Sequence, residues 1–495
     1  MGDIRIRGPL AVSAADTMFG PSYLPDSNTG FDLGAVGYVE DEYLVDGAAT
    51  VYDYDAAFKR VVRSEGVDYV TRIIVRRPTD PADFDGTVHL EPLHLDNDRG
   101  ISWHAVAPYI ARSGAAWVGV SVYPFPVNRM RDVINPTRYA ELSIPDGGLA
   151  YGIMGDVAAA LRGEQGTALL GGRTVERLYL SGWSATGSII RTFVNEGFHA
   201  ECRLADGSYA VSGYLVCISG AGDPPRGYWP ISDGSPVLPE ADHRRFFDNV
   251  GVPVFEILSE FEAESNAGFG RPDSDEPSDE YRLYQIPGGS HHQLPAGPEM
   301  QSTQPVQLEM LGFTRPRAEM NEEPTDLRMT FIVRALFELM DRWVRDGCVP
   351  PRVEPFTVLD LRELGPHGLW SHAFPLWRDR HGNAIGGIRT HWVEIPDSTY
   401  LPHSTPKPGC VDIPPGVPIP GPEFVADIRG QRIRFTTEKL VALYGSFETY
   451  LNRASAHIDS MVDAGWLLEP EARELTEQLH ARPPWGTAAE LLQPA

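Results

Sequence analysis

Lysine is nearly missing from this chain of 495 residues: Lys59, Lys407 and Lys439 are the only ones. Arginine supplies the rest of the positive charge, and it falls well short of the acidic side. Lys+Arg 42 against Asp+Glu 68 leaves a net charge of −26. A field of that sign repels nucleic acid and anionic lipid, so neither is expected as a partner. Cysteine is also scarce. Cys202, Cys217, Cys348 and Cys410 lie far apart, with no C-x-x-C and no Cys/His pairing at zinc spacing. A disulfide-stapled scaffold is excluded at this size. A single Cys202–Cys217 bridge stays open, and four buried free thiols are the expectation. No apolar run approaches the roughly 18 residues of a membrane helix. The first sixteen residues hold too short an apolar stretch for a secretory signal. A soluble cytoplasmic protein is therefore expected.

What is present is an ordinary globular balance, 42% hydrophobic and 22% charged, which rules out wholesale disorder. At about 150 residues per domain the length allows three domains, but one large sheet can absorb as much. Residues 36–45 and 49–56 read as two strands joined by a turn at Asp46-Gly47. Residues 70–77 and 86–95 follow as strands. Runs 115–124, 176–182, 213–220, 252–259 and 281–287 are continuously apolar, the pattern of strands buried on both faces. Helical patterns fill 102–114, 150–163 and 184–197. Strands alternating with such helices mean a mostly parallel sheet covered on both sides, an α/β fold. A long amphipathic helix is predicted over 326–347, stopping at Gly347 before Pro350. Residues 350–425 are rich in proline and read as irregular chain on a core, and 436–467 and 469–482 as helices. Residues 1–35 read as an irregular lead-in. The domain expectation is a core over 36–349, a cap-like insertion at 221–250, and a C-terminal extension over 350–495.

The most informative stretch is 177–194. An apolar strand runs into Gly182-Trp183-Ser184-Ala185-Thr186-Gly187, and a helical pattern starts at once. A nucleophile elbow has this form: the turn is tight enough to demand small neighbours, and the helix N-terminus lies under the reacting oxygen. The common spelling is G-x-S-x-G, whereas here the second glycine comes one position late. A serine that merely N-caps a helix is the rival reading. Serine also needs a base and an orienting carboxylate. Strand 252–259 is followed by Glu260 and Glu262, and strand 281–287 by Gly288-Gly289-Ser290-His291-His292. Serine, acid and histidine thus follow successive strand ends in the order this chemistry uses. The glycines before the histidines suit a loop that swings an imidazole over the elbow.

Nearly the whole chain resembles a bacterial α/β-hydrolase-domain family of large serine esterase-like proteins. The resemblance is carried by residues 37–52 (GYVEDEYLVDGAATVY), 135–153, the elbow, RLYQIPGGSH, RWVRDG (342–347), 381–396 (HGNAIGGIRTHWVEIP) and LYGSFETYLNR (443–453). It implies an α/β-hydrolase fold with the family's nucleophile on Ser184. Its acid motif falls on Ser259-Glu260-Phe261-Glu262, which puts the acid at Glu262 with Glu260 as alternate, and its histidine motif ends on His291. Four places depart from the family pattern. Ala185-Thr186 stand where Gln-Ser is usual, Glu262 replaces Asp, Gly152 stands where Asp is usual, and Thr390-His391-Trp392 follow GGIR where a proline is common.

The expected chemistry is attack by Ser184 on a small-molecule carboxylic ester, with His291 as base and Glu262 orienting it. The oxyanion would be held by the backbone N–H of Ala185 and by one in the loop around His94, at Leu95. Trp183, Tyr123 and Phe125, with Tyr228 and Trp229 nearby, are candidates for an acyl pocket, with plain core packing the alternative for each. No metal or organic cofactor is expected. The same triad serves acyl transfer or cleavage of a lactone or amide, and a non-catalytic binding protein of this fold is the remaining alternative. Two other patterns point elsewhere and are set aside. Asp96-Asn97-Asp98-Arg99-Gly100 begins like a calcium loop but has Ala107 at the twelfth position, and a plain turn is expected. His89 and His94 fall on opposite faces of a strand, and GNAIGG (382–387) lacks the spacing of a nucleotide loop.

Overall fold

A very long antiparallel hairpin opens the sheet. The computed structural model describes residues 2–485 apart from 3, 14–15, 221–226, 240–241, 266–270, 293–302, 304–305, 308–316, 359–375 and 413–425. After a short strand β1 (Arg5–Arg7), β2 spans Tyr38–Tyr54 and β3 spans Arg60–Pro78. The expected turn at Asp46-Gly47 does not exist: Asp46 pairs with Val70 and Gly47 with Tyr69 inside a continuous ladder. Gly47 is there for a ring, since a Cβ on it would lie 2.5 Å from the Tyr69 hydroxyl oxygen. The chain reverses instead over Asp55–Lys59, where the Asp55 carboxylate accepts the N–H groups of Ala57 and Lys59 at 2.9 Å each.

The other predicted strands follow, most of them shorter than the stretches read from the sequence. They are β4 (Thr87–Pro92), β5 (Ala116–Val120), β6 (Arg177–Trp183), β7 (Gly213–Cys217), β8 (Val254–Ser259) and β9 (Tyr281–Ile286). The nine strands are ordered β1-β2-β3-β5-β4-β6-β7-β8-β9. Pairing is antiparallel from β1 to β5, and parallel from β5 through β4 and β6 to β7. Parallel neighbours need crossovers, and the helices α1 (Ile101–Ser113), α2 (Leu149–Leu161) and α3 (Ala185–Asn195) provide them. Gly152 on α2 sits where a Cβ would meet Ala49 at 2.4 Å, so the hairpin arm leaves no room there for the family's usual aspartate.

Two compact units divide the chain. One comprises 1–256, 274–281 and 297–314, and the other 257–273, 282–296 and 315–495. The second thus takes the carboxyl ends of β8 and β9 together with the C-terminal residues. It begins inside β8, continues directly into α4 (Glu260–Ser265), and includes α5 (Met329–Asp346), which ends at Gly347 with φ +67° as the sequence predicts. The proline-rich region is more regular than expected. Residues Ser398–Leu401 pair with Gln431–Arg434, and Arg317–Met320 with Pro406–Asp412. Residues 359–375 and 413–425 of that region, and part of the cap-like insertion, lie outside the described residues. The single helix expected over 436–467 is two, Thr437–Tyr444 and Phe447–Asp463. Gly445 at φ +76° ends the first, and the Ser446 hydroxyl caps the second by accepting the Thr449 N–H at 3.1 Å.

Cys202 and Cys217 are buried free thiols, so no bridge joins them; Cys348 is exposed, contrary to expectation, and the Cys410 side chain lies outside the description. The acidic loop after β4 is a plain turn. Asp98 faces inward to a buried arginine, with Arg72 Nη2 at 2.7 Å and the Ser121 hydroxyl at 2.8 Å. Among the described residues no helix is long and apolar enough to cross a membrane.

Candidate active site

Strand β6 delivers Ser184 to a turn no ordinary residue adopts. Its backbone stands at φ +58°, ψ −125°, between the last strand residue, Trp183, and the first helical residue, Ala185. A non-glycine residue there is strained by about 1–3 kcal/mol, and such strain persists only where neighbours enforce it. The neighbours are specific. Ser184 N–H donates to the Cys217 carbonyl of β7 at 3.0 Å, and Ser188 N–H returns to the Ser184 carbonyl at 3.1 Å. A Cβ on Gly182 would lie 2.6 Å from the Thr186 carbonyl oxygen, and one on Gly187 2.6 Å from Ser219 Cβ. The displaced second glycine therefore serves close packing of α3 on β7. Thr186, where the family has serine, staples the turn: its Oγ1 accepts the Trp183 N–H at 2.8 Å and donates to the Trp183 carbonyl at 3.0 Å.

The two expected oxyanion donors lie in the same unit. β4 pairs in parallel with β6 in the register Leu90 to Leu180, so the chain beyond Pro92 emerges beside the turn at Ser184. Among the described residues, neither the Ala185 N–H nor the Leu95 N–H donates to any acceptor. A side-chain pair unforeseen in the sequence sits on that loop, His94 Nδ1 against the Asp96 carboxylate. Of the pocket candidates, Trp183 is 5% exposed and belongs to the core. Tyr123 and Phe125 are half-buried. Tyr123 meets Trp229 edge-on with ring centroids 6.2 Å apart, and Phe125 lies under the Arg129 guanidinium.

The acid and the histidine meet in the second unit. Glu262 is not in a loop but on the first turn of α4. Its Oε1 contacts His291 Nδ1, and its Oε2 accepts the Ser259 hydroxyl. Glu260 points elsewhere: Oε2 accepts the Gly288 N–H at 2.6 Å and Oε1 pairs with Arg378 Nη2 at 2.5 Å. Burial raises the Glu260 carboxyl above its ordinary range, with Arg378 opposing. His292, the other histidine of the loop, lies beside the pair, and its N–H donates to the Ile428 carbonyl at 2.8 Å. The glycines before His291 do not serve flexibility. Gly288 stands at φ +73° with its Cβ position 2.8 Å from Tyr400 Cβ, so the loop is tightly packed there. GNAIGG is likewise structural: a Cβ on Gly387 would meet the Gln285 carbonyl oxygen of β9 at 2.5 Å, and Asn383 Oδ1 accepts the Tyr400 N–H at 2.8 Å.

A strained serine at a strand-to-helix turn, on a sheet of this order, defines a protein of the α/β-hydrolase fold. The chain belongs to the family described as "Alpha/beta hydrolase domain", whose model matches residues 6–477. No curated protein matches it. Among solved structures, it is similar to a thermostable esterase from Pseudomonas putida at 13% identity, covering 58% of this chain and 83% of that one, with a TM-score of 0.31. A carboxylesterase from Lactobacillus plantarum matches at 11% identity over 50% and 95% of the two chains, with a TM-score of 0.31. An α/β serine hydrolase from Xanthomonas campestris, described as lacking a lid, matches at 14% identity over 49% and 85%, with a TM-score of 0.26.

Proposed function

We propose that this protein is a serine hydrolase that cleaves a carboxylic ester of a small molecule. Ser184 Oγ attacks the ester carbonyl carbon while its proton passes to His291 Nε2. Glu262 accepts a hydrogen bond from His291 Nδ1–H, which fixes the tautomer and balances the imidazolium as it forms. The tetrahedral oxyanion is held by the N–H groups of Ala185 and Leu95. His291 then protonates the departing alcohol, and a water activated by the same imidazole releases the acid. The half-buried Tyr123 and Phe125 line the acyl side of the site, and Trp183 backs it. This chemistry draws on no metal or organic cofactor.

The observation that carries the reading is the Ser184 backbone, held at φ +58° by Gly182, Thr186 and Gly187. The His291–Glu262 contact supports it, since an N-cap serine would come with neither. A fluorophosphonate probe followed by peptide mapping tests it, together with turnover on a panel of short to long acyl esters. Labelling at Ser184, lost in Ser184→Ala along with all ester turnover, is expected. An unlabelled Ser184, or turnover retained in the variant, overturns the proposal and favours a binding protein.

A further inference from the structure

Helix α4 presents glutamates at 260, 262 and 264, and each goes to a different partner. Glu260 is tied to Gly288 and Arg378, and Glu262 to Ser259 and His291. Glu264 Oε2 lies 2.6 Å from His403 Nε2, and its Oε1 lies 3.4 Å from Arg378 Nη2. His403 is held from the other side as well, with Nδ1 2.7 Å from Asp427 Oδ1. Both ring nitrogens thus face carboxylate oxygens. A neutral imidazole has one proton to give, so this geometry calls for the imidazolium. Burial works against that charge, but Asp427 and Glu264 raise the His403 ring to about 10.

The same residues reach the histidine loop. The Phe261 ring has the His403 ring on one contact, at 5.1 Å between centroids, and the His291 ring on another, at 5.7 Å. Ile428, next to Asp427, accepts the N–H of His292. Gly430 packs so closely on Ser290 that a Cβ on it would lie 3.0 Å from the Ser290 side chain. The brace around His403 therefore touches the acid helix through Glu264 and the histidine loop through 428–430.

Resting on the esterase reading, we propose that His403 is a positioning residue for the Glu262–His291 pair, acting through Glu264, Phe261 and the 426–430 segment. It touches no substrate. As a fixed cation between two carboxylates, it locks α4 in the rotation that aims Glu262 at His291, and it offsets the negative charge that Glu264 and Asp427 place near the catalytic imidazole. The charged groups that bear on it are Glu264, Glu260 and Arg378 from α4 and its partner, Asp427 from the following segment, and Glu262 with His291 across Phe261. A histidine in the proline-rich C-terminal region thereby enters the machinery of the hydrolase.

The test compares full-length His403→Gln, His403→Lys and Glu264→Gln. The readouts are histidine NMR, which follows the pH at which the His291 ring takes up its proton, and ester turnover. Removing the His403 cation leaves Glu264 and Asp427 uncompensated and favours protonated His291. Its midpoint, and the acid limb of turnover, should move up by about half a pH unit. Glu264→Gln removes a negative charge, so the midpoint should move down. His403→Lys should restore it. In His403→Gln, kcat is expected to fall about tenfold with KM little changed, because the pair and not the substrate is displaced. Shifts of the same sign in both Gln variants, or none, overturn the proposal. If His403→Gln does not fold, Asp427→Asn replaces it and should act in the direction of Glu264→Gln. NMR keeps this outcome separate from the esterase reading: His291 midpoints that move as stated in a chain whose Ser184 resists the probe support the brace and reject the hydrolase.

Discussion

Glu260 and Glu262 are two residues apart, chemically identical and both buried, yet they carry different burdens. Glu262 faces an imidazole that changes charge during the proposed reaction, whereas Glu260 faces Arg378, which does not. Glu262→Gln should therefore lower turnover on the order of 10²–10⁴, the scale of lost orienting carboxylates, with little loss of stability. Glu260→Gln should do the reverse. It leaves the Arg378 charge with only the longer contact to Glu264, at 3.4 Å, in a partly buried setting, a loss of about 1–3 kcal/mol in urea unfolding, with turnover changed severalfold at most. Turnover and unfolding midpoints measured on both variants check the assignment, and a larger turnover loss in Glu260→Gln would reverse it. His403 adds a pH dependence to stability. Its folded ring titrates at about 10, above the unfolded value of about 6.5. The folded state binds the extra proton between those values, so the stabilisation is complete below about pH 6.5 and is lost as pH rises toward 10. Chemical denaturation of wild type and His403→Gln at pH 6 and at pH 10 should show a gap that narrows at the higher pH.

The turn that holds Ser184 depends on one side chain whose role the sequence pattern hides. Thr186 breaks the usual spelling, and only the structure shows its hydroxyl bonded to both the N–H and the carbonyl of Trp183. Thr186→Val keeps the shape and removes both bonds, leaving buried backbone groups unpaired at a cost of about 1–3 kcal/mol. It should also lower kcat by loosening the elbow, while Thr186→Ser should retain most of both; thermal melts and ester turnover decide this. Buried strands were readable because uninterrupted β-branched runs have few other uses. The proposed serine, acid and histidine stand out in the sequence because they follow strand ends. The hairpin was misread because glycine marks turns and close approaches alike, and nothing local to Asp46-Gly47 says that Tyr69 packs there. The brace at His403 was invisible for a similar reason: its partners Glu264 and Asp427 are 139 and 24 residues away. Carboxylates that meet a histidine at such separations leave no periodicity to detect.

A reading by chain order places a core before residue 349 and an appendage after it, but the second compact unit takes residues from both sides of that point. Within it, β9 is held by the C-terminal chain along its length. Arg282 donates to the Pro350 carbonyl at 3.1 Å and the Tyr284 hydroxyl to the Pro351 carbonyl at 2.9 Å. Gln285 accepts the N–H of Phe356 through its side chain and that of Ile388 through its carbonyl, both at 2.7 Å. Arg378 neutralises buried Glu260, and His403 neutralises Glu264. A chain truncated after residue 349 would lose all of these at once. It would take the Pro350 carbonyl from the guanidinium of Arg282 and leave Glu260 and Glu264 of α4 without the cations Arg378 and His403, each lost ion pair costing up to about 3–5 kcal/mol. Against a total stability of about 5–15 kcal/mol, the ordered arrangement of 257–291 should not survive. Hydrogen exchange on the truncated chain is expected to show protection lost across α4, β9 and the His291 loop, with Glu262 and His291 no longer held together and ester turnover abolished. Protection in 282–291 equal to that of the full chain would mean that the C-terminal residues merely decorate a core complete without them.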